Sequence, residues 1–272
     1  MQGNRRVAAV QMEAGPDIER NLETAEGLVE RAAQEGARFI VLPENFAFMG
    51  PEDAKVPWGE TLGDWDAPIQ RWARALVQRL QVQIVLGGIP EKSAQPSKVF
   101  NTSVFLDETG AIVAVYRKIH LFDLDLPDGP TVTESMHTVQ GRDVVVSDSG
   151  WAKVGMSICY DLRFPELYRL QSARGAELLT VPAGFTLETG RAHWYLLVRA
   201  RAVENQCFVI AANLCGHHFG ERSSYGHSLI VDPWGEVLAE AGEKDEVVLA
   251  DLDSQRLSRV RAHLPALRHR VL

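Results

Sequence analysis

Three hairpin signals, set into a regular alternation of helices and strands, limit what this chain can fold into. Runs 102–106 and 111–117 flank Asp107-Glu108-Thr109-Gly110, and runs 144–146 and 152–158 flank Asp148-Ser149-Gly150. Runs 229–231 and 237–239 flank Asp232-Pro233-Trp234-Gly235. Each pairs β-prone segments across turn-forming residues. Elsewhere the pattern differs. A strand over 7–12 precedes a helix opened by Pro16-Asp17, with Ile18, Leu22, Ala25, Leu28, Val29 and Ala32 on one face and Gly36 closing it. The apolar run 39–42 reads as a strand, and Ile69, Trp72, Ala73, Leu76, Val77 and Leu80 mark a second helix. A third strand over 82–86 ends in Gly87-Gly88, with a polar loop over 91–98. A strand at 178–181, a helix over 190–205 and a strand over 207–213 follow. A parallel barrel has no need of antiparallel hairpins, whereas two sheets packed face to face with helices outside accommodate both features. The expected fold is α/β, a four-layer α-β-β-α sandwich. No linker divides the chain, so residues 1–272 read as one domain.

Composition narrows the function. A formal charge of −8 disfavours a nucleic-acid surface and means that an anionic ligand must meet locally placed cations. Cys159, Cys207 and Cys215 are too few, and odd in number, for a disulfide framework, which points to a reducing compartment. Met1-Gln2-Gly3-Asn4-Arg5-Arg6 has no apolar signal core and no run is long enough to cross a bilayer, so a cytoplasmic protein without membrane partners is expected. No G-x-G-x-x-G follows a strand and no Walker-type loop occurs. His217 and His218 would point apart on a strand, and there is no C-x-x-C or H-x-x-x-H pair. Neither a cofactor nor a metal is expected.

Chemistry gathers at strand ends. An apolar run stops at Cys159, and Pro165 then suits the first turn of a helix that Gly175 can close. Cys159 is thus either a small buried hydrophobe or a nucleophile lifted out of the sheet at a strand-to-helix elbow. Glu44, directly after the strand at 39–42, is either a cap or salt-bridge partner or a catalytic acid. Lys118, in Tyr116-Arg117-Lys118-Ile119-His120, is either a solvated edge lysine or a placed cation. Amide hydrolysis would explain all three. A carboxylate takes the thiol proton and later returns one to the departing amine, while an ammonium and the Tyr160 backbone N–H hold the oxyanion. A Cys–His dyad using His120, His137, His193 or His227 is also conceivable, though no spacing favours one of them. The Gly/Pro/Trp-containing loop over 50–66 is long enough to be functional.

Leu42-Pro43-Glu44-Asn45, Tyr116-Arg117-Lys118-Ile119-His120-Leu121 and Ser157-Ile158-Cys159-Tyr160-Asp161-Leu162-Arg163-Phe164-Pro165-Glu166-Leu167 together resemble the three catalytic blocks of the nitrilase superfamily of carbon–nitrogen hydrolases. The match spans nearly the whole chain. It implies the same α-β-β-α fold and a Glu-Lys-Cys triad at Glu44, Lys118 and Cys159. It further implies that Glu134, in Val132-Thr133-Glu134-Ser135, holds Lys118 and tunes the proton on Glu44. Arg163, Phe185 and Thr189 would line the substrate pocket. Arg163 could fork onto an α-keto carboxylate or pair with a neighbouring acid.

Within the superfamily, Phe185-Thr186, Thr189-Gly190, Ala192-His193-Trp194, the run 199–207 and Tyr225-Gly226-His227-Ser228 resemble the amidase branch acting on deaminated glutathione. Omega-amidases, acting on α-ketoglutaramate or α-ketosuccinamate, come next, and an N-carbamoyl amidohydrolase would differ only in pocket shape. Tyr160 stands where true nitrilases carry Trp. Gly184 stands where Ala is usual and is expected to touch no catalytic group. A small-molecule amide is the expected partner. A homodimer is the minimum assembly, since Trp194, Tyr195, Leu196, Leu197 and Val198 give the 190–205 helix more apolar surface than one stripe requires. A catalytically idle binding module, the non-enzyme alternative, has no need of Glu44, Lys118, Cys159 and Glu134 together.

Overall fold

A computed structural model describes residues 1–124 and 132–271. The chain runs β1 (Arg5–Gln11), α1 (Ile18–Gln34), β2 (Phe39–Val41), α2 (Pro68–Leu80), β3 (Gln83–Lys92), β4 (Val99–Leu106) and β5 (Ile112–Arg117). Then come β6 (Asp123–Leu124), β7 (Val132–Thr133), β8 (Val146–Asp148), β9 (Lys153–Met156), α3 (Pro165–Ala173), β10 (Leu178–Thr180), α4 (Leu187–Thr189) and α5 (Tyr195–Asn205). The last part holds β11 (Phe208–Ala211), β12 (Cys215–Phe219), β13 (Arg222–Tyr225), β14 (Leu229–Val231), β15 (Val237–Glu240), β16 (Glu246–Leu252) and α6 (Ser254–His263).

Two six-stranded mixed sheets result, ordered β16-β1-β2-β3-β4-β5 and β15-β14-β11-β10-β9-β8. In each, three parallel strands carry antiparallel flanks. Alternation explains why the strands are apolar throughout. Val7, Ala9, Phe39, Val41 and Val85 belong to the core shared with the second sheet, while Ala8, Val10, Ile40, Leu42, Ile84 and Leu86 pack beneath α1 and α2. Leu167 and Tyr168 of α3, with Val198 and Ala202 of α5, cover the second sheet's outer face. This is the expected sandwich of two sheets between helices. No helix among the described residues is long and apolar enough to cross a membrane.

Local differences have physical causes. β3 does not stop at Gly87-Gly88 but continues to Lys92, its ladder with β4 shifting between Leu86 and Ile89. The glycines sit at that shift because a Cβ on Gly87 would overlap the Leu42 and Pro43 carbonyl oxygens. The backbone of β3 thereby passes against the end of β2, and Glu44 bridges Gly88. The 190–205 helix begins earlier, at Leu187, with a π-helical turn over Gly190–Trp194. The β12–β13 ribbon and edge strand β16 are not predicted by the sequence pattern.

The glycine positions give a paired test. Gly27 lies exposed in α1 with nothing near its Cβ position, so Gly27→Ala should stabilise by about 0.5–1 kcal/mol. Gly87→Ala forces backbone apart and should destabilise by about 1–3 kcal/mol or more. Thermal melts of the two variants should move in opposite directions. A Gly87→Ala protein melting at the wild-type temperature would contradict the close approach of β2 and β3.

Candidate active site

The end of β9 turns sharply. Ser157 is fastened to Thr180 O at 2.8 Å and to the Tyr168 hydroxyl at 2.8 Å. Cys159 then takes φ 47°, a left-handed conformation that costs a non-glycine residue roughly 1–3 kcal/mol. Its N–H donates to Pro182 O at 2.7 Å, and a short 3₁₀ turn, Cys159–Arg163, leads to Pro165 at the start of α3. Asp161, fully buried, holds the elbow from inside. Its carboxylate accepts from Ile158 N at 2.8 Å, the Tyr116 hydroxyl at 2.6 Å and His120 N at 3.0 Å, with His120 Nδ1 at 2.7 Å. Tyr116 and His120 flank Lys118 at the end of β5. One carboxylate therefore ties the elbow of the second sheet to the strand end of the first.

Lys118, 2% exposed, lies between two buried glutamates. Its ammonium donates to Glu44 Oε1 and Glu134 Oε2, both at 2.8 Å. Asn101, on β4, donates its amide to Glu44 Oε1 at 2.8 Å and Glu134 Oε1 at 3.2 Å. Gly184 N reaches Glu44 Oε2 at 3.0 Å, and Phe122 N reaches Glu134 Oε2 at 2.7 Å. Burial opposes the charge on all three groups. It is outweighed on Glu44 by the Lys118 ammonium, which holds the carboxyl below its ordinary range, and on Glu134 by Lys118 with help from Lys55. Lys118 is in turn held charged well above its usual value, by Glu134 first and Glu44 second.

Cys159 is 9% exposed, and its thiol lies near enough to Glu44 to feel the carboxylate's charge. Burial, then the Glu44 charge, push the thiol far above its ordinary value, while Lys118 and Gly184 N–H pull the other way. The resting sulfur is a protonated thiol beside a carboxylate. Such a pair transfers its proton when negative charge begins to form elsewhere within reach of Lys118.

One pocket brings together Glu44, Lys118, Glu134, Cys159, Tyr160, Arg163, Phe185 and Thr189 on its lining. Tyr160 N–H follows the elbow, between the Cys159 N–H taken by Pro182 and the Asp161 N–H taken by Ile158 O. Arg163 has no carboxylate partner among the described residues. Its guanidinium lies 5.1 Å from the Phe185 ring centroid and 5.8 Å from that of Tyr160, with His193 Nδ1 at 3.3 Å. Thr189 and Thr186 share a hydroxyl hydrogen bond of 2.7 Å.

Sequence reasoning missed several members. Asn101 and Asp161 are short polar residues in apolar surroundings, and only the fold shows what they hold. Lys55, Glu52 and Arg222 also line the cavity. The Glu52/Lys55 spacing of three was visible within the 50–66 loop, but its direction was not. Gly184 corrects an expectation. Its N–H is a direct donor to Glu44, so the position does touch a candidate catalytic group, although an alanine methyl would find only ordinary contacts there, at 3.5 Å or more. Lys118 is no solvated edge lysine, because it is buried between Glu44 and Glu134.

A buried thiol thus shares one pocket with a carboxylate that grips an ammonium, at the strand ends of an α-β-β-α sandwich. The carbon–nitrogen hydrolase profile matches residues 6–262, and the chain belongs to that family. A deaminated glutathione amidase of Synechocystis sp. is 43% identical over 268 residues, covering 97% of each chain. The crystal structure of the C. elegans NitFhit protein is similar at a TM-score of 0.92 and 36% identity, covering 99% of this chain and 66% of that one. This chain thus spans about two-thirds of the worm protein. Saccharomyces cerevisiae Nit3, a member of branch 10 of the nitrilase superfamily, is similar at a TM-score of 0.89 and 33% identity, covering 99% and 97%.

Replacing Lys118 by Met leaves two buried carboxylates facing each other, at a cost of about 3–5 kcal/mol near neutral pH. The pH dependence has a definite sign. In wild type the lowered carboxyls stabilise the fold above their ordinary value of 4.5 and lose that contribution as pH falls through their folded values. Raised Lys118 stabilises below its ordinary 10.5 and loses the effect as pH rises through its folded value. In Lys118→Met the carboxyls are pushed up instead, and acidification relieves them. The difference in melting temperature should therefore narrow as pH is lowered from about 8 to about 5. A constant or widening difference means that Lys118 does not hold the two glutamates.

Proposed function

We propose that this chain hydrolyses the amide of a small α-keto acid through a thioester on Cys159, with deaminated glutathione as substrate. The observation that carries the reading is Glu44, gripped by the Lys118 ammonium at 2.8 Å, on the lining of the same pocket as Cys159. The substrate is drawn from the Synechocystis relative, a deaminated glutathione amidase.

The steps follow from the contacts. Glu44 takes the thiol proton as sulfur attacks the amide carbon. Lys118 and the Tyr160 N–H hold the oxyanion, a contribution of about 2.7–4 kcal/mol for one such donor. As the C–N bond breaks, Glu44 returns the proton to the amine nitrogen. Water then attacks the thioester, Glu44 takes its proton, and the C–S bond breaks to regenerate the thiol. Glu134 keeps Lys118 in place, and Asn101 bridges the two carboxylates. Arg163, lacking an acid of its own, takes the α-keto carboxylate beside Phe185 and Thr189.

The setting proposed is the reducing cytoplasm, where a free thiol nucleophile survives, and the assembly is a homodimer. Trp194 and Val198 turn out to be core residues, but Tyr195 and Leu196 on the same helix are exposed, Leu196 at 67%. Sedimentation at micromolar concentration should show a species of twice 30.1 kDa. A monomer alone would count against the dimer.

Cys159→Ala and Cys159→Ser should abolish turnover of deaminated glutathione while melting close to the wild-type temperature. Release of cysteinylglycine, circular dichroism and melting are the measurements. Substantial turnover by a folded Cys159→Ala protein would exclude the thiol as nucleophile.

A further inference from the structure

Two cations reach the cavity from elements remote from the elbow. Lys55 comes from the short helical turn Asp53–Trp58, and Arg222 from the start of β13. Both rest on one acid. Lys55 Nζ donates to Glu52 Oε2 at 2.8 Å, and Arg222 donates to Glu52 Oε1 at 3.2 Å. Lys55 is only 5% exposed. An ammonium has three donors and a guanidinium five, yet Glu52 is the one acceptor that either meets among the described residues. Two cations sharing a single carboxylate leave positive charge that this acid alone does not neutralise.

The surplus persists when the rest of the pocket is included. Lys118 engages Glu44 and Glu134, and Lys55 also acts on Glu134, so the lining sets four cations, Lys55, Lys118, Arg163 and Arg222, against three carboxylates, Glu44, Glu52 and Glu134. A chain with a formal charge of −8 therefore leaves one uncompensated positive charge on the lining of this pocket. Arg163 adjoins the nucleophile on the elbow. Lys55 and Arg222 approach from the first sheet's loop and from the β12–β13 ribbon, away from that turn.

We propose that Lys55 and Arg222 form a second carboxylate subsite, which reads the departing end of the substrate and selects dianionic amides. This rests on the α-keto amide reading above and names what distinguishes one such amide from another. In deaminated glutathione the departing amine is a dipeptide ending in a carboxylate. In α-ketoglutaramate it is ammonia and carries none. The acyl ends are the same, so Arg163 serves both substrates, while Lys55 and Arg222 serve only the first. Glu52 keeps the two cations apart and aimed, as carboxylates commonly do for paired bases.

Arg222 is the residue to change, since Lys55 also contributes to the charge balance of Glu134. The experiment measures kcat/KM for deaminated glutathione, for its C-terminal glycinamide and for α-ketoglutaramate. In Arg222→Gln the preference for deaminated glutathione over α-ketoglutaramate should fall about ten- to a hundredfold. Wild type should lose a similar factor on the glycinamide, and Arg222→Gln should add little to that loss, as a double-mutant cycle requires. Arg222→Lys should recover part of the preference, and Arg163→Ala should lower turnover of both acids together. An Arg222→Gln enzyme with the wild-type preference overturns the proposal. So does wild type that hydrolyses the glycinamide as fast as the free acid, a comparison that needs no variant to fold. Wild type active on α-ketoglutaramate but inert toward deaminated glutathione refutes the substrate reading itself, and the subsite with it.

Discussion

A lysine ammonium buried between two carboxylates dictates much of this structure. Desolvation alone would strip the charge from Lys118, Glu44 and Glu134, and only their mutual contact at 2.8 Å keeps all three ionised. That contact requires the ends of β2 and β5 and the segment after β7 to converge within one hydrogen bond of each other. Asn101 reinforces the convergence from β4 by donating to both acids, and its own carbonyl oxygen is left without a protein partner. The site tolerates that orphan because turning the amide over would set oxygen against two carboxylates.

The second requirement is that the other sheet deliver Cys159 to the same place. Asp161 does this by accepting from Ile158 on one side and from Tyr116 and His120 on the other. The left-handed backbone at Cys159 is supported by the Pro182 carbonyl and by the stacking of His120 on Phe164, centroids 3.6 Å apart. Strain at the elbow and charge at the strand end are thus held by the same inter-sheet contacts. The thiol gains a carboxylate neighbour without becoming a thiolate, which fits a nucleophile that is released only as substrate charge develops.

Much of this was legible in the sequence. Apolar strand-length runs, one-sided helices and three turn-punctuated hairpins led to the sandwich, and the strand-end positions of Glu44, Lys118 and Cys159 anticipated their meeting. The rest depends on long-range pairing that local pattern does not encode. β16 lies against β1 more than 230 positions away in register, Arg5 opposite Leu252, and nothing in its own composition announces that partner. Asp161 and Asn101 resemble ordinary turn and strand residues until the sheets close over them. Glu134 was identified by likeness to a family, since its loop carries no pattern of its own. Lys55 and Arg222 come from segments 167 positions apart, and only Glu52 unites them.

The central claim is a covalent thioester on the way to product, and partitioning tests it most directly. Deaminated glutathione and α-ketoglutaramate share an acyl group and differ in the amine that leaves. If both pass through the same acyl-Cys159, added hydroxylamine must divide each between hydroxamate and acid in the same ratio, because the amine has departed before the nucleophiles compete. The account predicts identical ratios for the two substrates at every hydroxylamine concentration. Ratios that depend on the leaving amine, or hydrolysis that never yields hydroxamate, would mean that water attacks the amide directly and would contradict the role given to Cys159.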